Sequence, residues 1–222
     1  MTKKKKIITI ICASLGAALT LSLAVPFINY GAKTNAIKKD YSYLKKSIYS
    51  SRADVSGLEL VEQHISCGYA TIEMMSSFYG TKINEDELSE KNKGRITTSS
   101  SKGFLKELKK STPDKEFVKH SYLYNDVFLK EIHISLTSGN PVAIEWAAKY
   151  EDSWTLHYSI VSGLDIENDN VTILNPYGYV ENITVDEFIS RTSFEAYKPL
   201  PFFLSFGFAY GAFEKNTIFY AV

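Results

Sequence analysis

The chain has 222 residues, 25 Lys+Arg against 25 Asp+Glu, 45% hydrophobic and 14% aromatic residues, and two cysteines. That length allows one domain with a sizeable core plus an appendage, and the composition excludes a disordered chain, a collagen-like repeat and a disulfide scaffold. The zero net charge is a sum over unlike parts: Lys3, Lys4, Lys5, Lys6 and Lys33 meet no acidic residue before Ile37, after which 20 basic groups face 25 acidic ones, a balance that argues against a nucleic-acid partner.

Behind the positive head Met1–Lys6, residues Ile7 to Ala24 are uncharged, and the apolar character continues to Ile28. About 20 such residues cross a bilayer as a helix, and lysines ahead of a span hold the N-terminus inside and the remainder outside. Ser22 and Ala24 also make a small-x-small site at which a signal peptidase cuts. Residues 1–32 therefore read as an N-terminal transmembrane anchor or a signal peptide. The product is then a single-pass protein of the cell membrane with its domain outside, or a secreted one. Residues 33–54, rich in Lys, Ser and Tyr, read as a juxtamembrane linker, and 55–222 as one domain. Cys12 falls in the span, so Cys67 is the one cysteine of the exported part and no disulfide can form within it.

Ser66 to Gly80 has apolar residues at Ile72, Met75 and Tyr79, which predicts an amphipathic helix capped by Ser66 and stopped by Gly80. Further helices are expected over 84–90, over 101–110 with Phe104, Leu105 and Leu108 as the buried stripe, and over 124–137 before Gly139-Asn140-Pro141. Strands follow: Pro141 to Trp146, then His157 to Asp165 opening after a loop with Glu151, Asp152 and Trp154, then Val171 to Asn175 after a turn at Glu167–Asn170. Val185 to Arg191 returns to helix, and the aromatic tail from Phe202 to Val222 reads as strand and turn around Glu214-Lys215-Asn216. Helices first and an antiparallel sheet second make an α+β domain.

A thiol at the first turn of a helix faces unpaired N–H groups and a partial positive charge, which favour the thiolate. Cys67 is therefore a candidate nucleophile, and it needs a base and a group to orient that base. Among His64, His120, His133 and His157, the last is the best placed, at the edge of a strand. The turn at Glu167–Asn170 would return Asn175 to the same end of the sheet, where it can hold the imidazole. Gln63 can join the Cys67 backbone N–H in stabilising an oxyanion. No Cys-x-x-Cys or His-x-x-x-His pair points to a metal, and no cofactor is expected.

Gln63 with Ser66-Cys67-Gly68-Tyr69-Ala70, then Gly139 to Ile144, His157 to Asp165 and Val171 to Gly178, in that order, resemble the bacteriocin-processing, or double-glycine, cysteine peptidases and their stand-alone relatives in the papain-like superfamily. The resemblance covers about Val55 to Ser193. It implies a papain-like fold, a peptide or protein substrate, Cys67 as nucleophile, His157 as base and then acid, Asn175 as orienting residue and Gln63 as oxyanion donor. Asn175 stands where many members carry Asp, and Gln63 precedes Cys67 by a tighter loop than usual. With no transporter and no phosphate-binding loop, leader processing coupled to export is not implied. Three readings follow: an exported or membrane-anchored cysteine peptidase, an acyl or peptidyl transferase on the same scaffold, or a catalytically silent module that binds a peptide or envelope partner.

Overall fold

A computed structural model describes residues 21–37 and 52–222. The first 14 residues of the expected span, 7–20, and most of the expected linker, 38–51, lie outside the described residues. The described residues 21–36 are helical, here α1, and no described helix is long and apolar enough to cross a membrane. The end of α1 lies against the domain: the Tyr30 ring stacks on Phe208 at 5.8 Å, and the carbonyl of buried Ile37 accepts from the Asn125 N–H at 3.2 Å. At the far end of the expected linker, Ala53–Asp54 form a short strand, β1.

The α+β class is as expected. After β1 come α2 (Cys67–Phe78), α3 (Glu85–Lys91), α4 (Ser101–Ser111), β2 (Phe117–His120), α5 (Asn125–Thr137), β3 (Val142–Tyr150) and β4 (Ser153–Asp165). They are followed by β5 (Asn170–Asn175), β6 (Tyr179–Ile183), α6 (Val185–Thr192), α7 (Phe202–Ala209) and β7 (Thr217–Ala221). One antiparallel sheet runs β2-β7-β3-β4-β5-β6, with β1 added beside β4. Helices α2 and α4 cover one face, packing Tyr69, Ile72, Met75, Phe104 and Leu108 against Tyr158, Ile160, Leu174 and Phe219. Helices α5 and α6 cover the other, with Phe128, Ile132 and Phe188 against Ile144, Trp146, Val161 and Ile173. Covered on both sides, β3 is buried continuously from Val142 to Ala148, which is why its sequence shows a run and no alternation.

Helix α2 has the predicted ends. The Ser66 Oγ accepts from the Tyr69 N–H at 3.2 Å. At the other end Gly80 takes φ +84°, so its N–H reaches the Ser77 carbonyl and the Thr81 N–H reaches that of Ser76, the paired bonds that close a helix at a left-handed glycine.

Two expectations are corrected. Strands β3 and β4 are longer than predicted and meet in a tight hairpin at Glu151-Asp152, so His157 lies inside β4 and does not open it. Phe117–His120 and Tyr179–Ile183, to which the sequence assigned no element, are edge strands. The tail from Phe202 is helical up to Ala209: Leu204 and Phe208, four apart, are buried against Ala147 and Phe194, and Gly207 leaves room for the Phe213 ring, whose carbons a Cβ would meet at 2.4 Å. Helical spacing of the aromatics there wins over their strand propensity.

Candidate active site

Cys67 is the first residue of α2, half-buried and unbonded to any other cysteine. The loop that delivers it is held from both sides. Glu85, fully buried at the start of α3, takes three consecutive backbone N–H groups on its carboxylate: His64 at 2.9 Å on Oε1, Ile65 at 2.9 Å and Ser66 at 2.8 Å on Oε2. From the other side the Gln63 N–H donates to the Pro176 carbonyl at 2.7 Å, fastening the loop to the end of β5. The Glu85 N–H itself donates to Glu73 of α2 at 2.9 Å, so the clamp is anchored on the helix it positions.

His157 and Asn175 are brought together. The imidazole Nε2 lies 2.9 Å from Asn175 Oδ1, and both residues are buried. Asn175 Oδ1 also accepts from the Tyr177 N–H at 3.0 Å, while its Nδ2 donates to Glu181 Oε1 at 2.5 Å. That orientation makes Oδ1 an acceptor only, so Nε2 carries the proton and Nδ1 is the basic nitrogen. The chain of bonds goes on to Arg191, whose guanidinium donates to Glu181 at 2.6 Å and to the Ala147 carbonyl at 2.9 Å and lies 3.7 Å over the Trp146 ring. Tyr177 stacks on the imidazole at 4.1 Å and fixes its own hydroxyl on Thr155 at 2.7 Å. Glu181, Arg191 and Tyr177 were not singled out by sequence reasoning; two ordinary charges and a tyrosine carry no mark until a sheet assembles them around an imidazole.

The expected lowering of the Cys67 pKa is not found. Burial pushes the thiol up to about 11, outweighing the backbone of Tyr158, Gly68 and Cys67 itself, which favour the thiolate. Burial likewise holds His157 down to about 3, against the opposing hydrogen bond from Asn175. Few N–H groups reach one sulfur, whereas desolvation acts on the whole ion. The resting pair is therefore neutral thiol and neutral imidazole. The Tyr158 backbone, one residue from His157, touches the sulfur, but thiol and imidazole are not hydrogen-bonded to each other.

Gln63 lines a cavity of about 300 Å³ together with Glu62, Tyr150, Thr155, Pro176 and Tyr177, and its Oε1 is buried with no partner. A larger cavity of about 460 Å³, at the other end of α2 around Ser77, Gly80 and Lys82, contains none of the four candidate residues. The remaining histidines are occupied elsewhere: His64 bonds Asp86 at 3.1 Å and is raised chiefly by that bond, His120 meets Glu131 at 2.6 Å, and His133 is buried in α5. Among the described residues no cluster of His, Cys, Asp and Glu is arranged to hold a metal ion.

Beneath the site Glu145 is buried on β3, bonded by the Ser101 hydroxyl, and burial raises its pKa to about 8. Between its ordinary value of 4.5 and about 8 the native state holds one proton more than the unfolded chain. Stability then falls as pH rises through that window, by up to about 1.4 kcal/mol per unit from this group. Glu145→Gln removes the titration, so urea midpoints of the variant are expected to change less than the parent's between pH 5 and pH 8.

A comparison with curated proteins gives no match. Among solved structures, a double glycine motif protease from an AMS/PCAT transporter, in complex with the leader peptide, is similar over 76% of this chain and 97% of that chain, with 12% identity and a TM-score of 0.48. The family model described as "Peptidase_C39 like family" matches residues 35–201, which hold Cys67, His157, Asn175, Gln63 and the clamps around them, and well over half of the chain is thereby accounted for: the protein belongs to that family.

Proposed function

We propose that the protein is a cysteine peptidase that hydrolyses peptide bonds through an acyl-enzyme, with its domain outside the cell membrane and residues 7–28 as the anchor. The observation that carries this reading is the buried imidazole locked by Asn175 with Nδ1 left basic, one residue along β4 from the Tyr158 backbone that meets the Cys67 sulfur. Cys67 sulfur attacks the substrate carbonyl carbon as its proton passes to His157 Nδ1. Collapse of the tetrahedral adduct breaks the C–N bond, and Nδ1 returns that proton to the leaving amine. Water then attacks the thioester, giving a proton to Nδ1; the C–S bond breaks and the thiol is restored. The Cys67 N–H and the Gln63 amide face the oxyanion. Because the resting pair is neutral, proton transfer accompanies attack, and the hydrogen bond between thiol and imidazole forms on substrate binding, as it often does in sites that lack a ligand.

The test is cleavage of a peptide library by the full-length chain in detergent. Fragments are expected from the parent and none from Cys67→Ala, while His157→Ala falls by about 10²–10⁴-fold. A second reading, a silent module that captures a peptide, is favoured by the thiol near 11 and the missing thiol–imidazole bond. Peptide retained by parent and Cys67→Ala alike, with no fragments from either, would establish it and overturn the peptidase. Added amine that diverts the products into amides identifies the transferase.

A further inference from the structure

Helix α7 has two unlike faces. Leu204 and Phe208 are buried, but Phe202 and Phe203 are 76% and 68% exposed. Phe202, Phe206 and Tyr210 form a ladder along one side, with ring centroids 5.0 Å apart for the first pair and 5.5 Å for the second. Phe27 of α1 joins this ladder, 5.2 Å from Phe206 and 6.5 Å from Tyr210. On α1 itself Leu21, Leu23, Val25 and Ile28 are exposed, so the two helices present one joined apolar surface.

We infer that this surface, the exposed side of α1 with the N-terminal half of α7, is seated in the boundary between headgroups and acyl chains of a lipid bilayer. The inference rests on the anchoring of the chain by residues 7–28, not on its peptidase chemistry. No charged residue occurs between Ile7 and Ala32, and the described part of α1 overlaps that run over residues 21–32. Phe27, the residue against which α7 packs, lies five residues before the end of the run, about 8 Å along a helix. The contact therefore fixes α7 at the depth where the uncharged segment gives way to Lys33. The segment from Pro199 to Phe213 is also free of charge and is bounded by Lys198 and Glu214. Phenylalanine, leucine and tyrosine on a short helix are the side chains that lie in this boundary, and membrane docking accounts for two adjacent phenylalanines left outside the core.

The test uses the full-length chain with Phe203→Trp, a change at an exposed position, in vesicles of phosphatidylcholine and phosphatidylglycerol with plain or brominated acyl chains. Trp146 and Trp154 give the background, measured on the parent. The emission added by the variant is expected to fall at least about twofold in brominated vesicles, because the side chain lies within reach of the acyl region. Flotation of the vesicles reads the anchor separately. A chain that floats while the added emission is unquenched overturns the docking but leaves the anchor; a chain that stays at the bottom overturns both. Unquenched, blue-shifted emission with cross-links between copies at α7 assigns the surface to a second copy and overturns the inference.

Discussion

Glu85→Ala is expected to destabilise the domain by about 3–5 kcal/mol, the range for removing one partner of a buried charged arrangement. The carboxylate accepts three N–H groups in succession, from His64, Ile65 and Ser66, and is fully buried. Hydrogen bonds to a charged group contribute about 1.5–3 kcal/mol each, and donors left buried without partners carry a further penalty unless water enters. Glu85→Gln separates these effects. With its carbonyl in place of Oε2 it still accepts from Ile65 and Ser66, while its NH2 in place of Oε1 cannot accept the His64 N–H and replaces the contact to the His64 ring, so a smaller loss of about 1–3 kcal/mol is expected. Urea unfolding of the three proteins measures the order. The functional counterpart is the rate at which iodoacetamide alkylates Cys67. In the parent that rate should climb through pH 7–10, as for a thiol near 11. In Glu85→Ala, with the loop released and the sulfur hydrated, the profile should move toward that of a free thiol near 8.5. An unchanged profile would mean that the clamp holds the loop without setting the environment of the sulfur.

The second large effect is expected at Arg191. Its guanidinium is buried and is bonded to Glu181, which in turn receives the Asn175 Nδ2. Arg191→Met leaves the Glu181 carboxylate without its counter-charge and should cost about 3–5 kcal/mol. The double variant Arg191→Met, Glu181→Gln removes both charges, and should recover part of that loss with a coupling of about 0.5–3 kcal/mol. On the proposed peptidase reading Arg191 and Glu181 are positioning residues that act through Asn175, since neither is bonded to the imidazole. Their effect on catalysis should therefore appear in kcat with little change in KM, and Glu181→Gln, which keeps an oxygen for the Asn175 amide, should retain more activity than Glu181→Leu. On the same reading the arrangement accounts for Asn at position 175. A carboxylate is present one bond further out, but Arg191 balances its charge, and the guanidinium together with burial keeps the imidazole neutral. The link to stability has a definite sign. His157 is held at about 3 against an ordinary 6.5, so the unfolded chain binds the extra proton between those values and stability contributed by this group is lost as pH falls from 6.5 toward 3.

Local chemistry made much of this legible. Ser66 and Gly80 bound a 12-residue helix because a hydroxyl cap and a left-handed glycine act within one turn of where they stand. Cys67 at its first turn, the helix periodicities and the turn between β4 and β5 are of the same kind. The charged clamps were not legible: Glu85 is 19 residues from Ser66 and Arg191 is 44 from Ala147. In the sequence each resembles any solvated charge, and only burial against a particular backbone makes it a partner.

The amino-acid order alone determined the α+β class, the cysteine helix and the set of side chains from which a Cys-His-Asn constellation can be drawn. Whether His157 and Asn175 share a face of the sheet was decided by the fold. Gly163 pairs with Thr172, but Val161 pairs with Ile173, so β4 spends one extra residue, Ser162, in a bulge. Had the register of Gly163 continued unbroken, Ile160 would oppose Asn175, and His157, three residues from Ile160, would point to the opposite face. The shift sets Ile160 against Leu174 and turns His157 and Asn175 to the same side, where they bond at 2.9 Å. Side chains alternate with a period of two, so a slip of one residue reverses every face beyond it. The proton affinities were decided in the same way: the helix terminus that favours a thiolate is visible in the order of residues, and the burial that outweighs it exists only once the sheet and helices have closed around the sulfur.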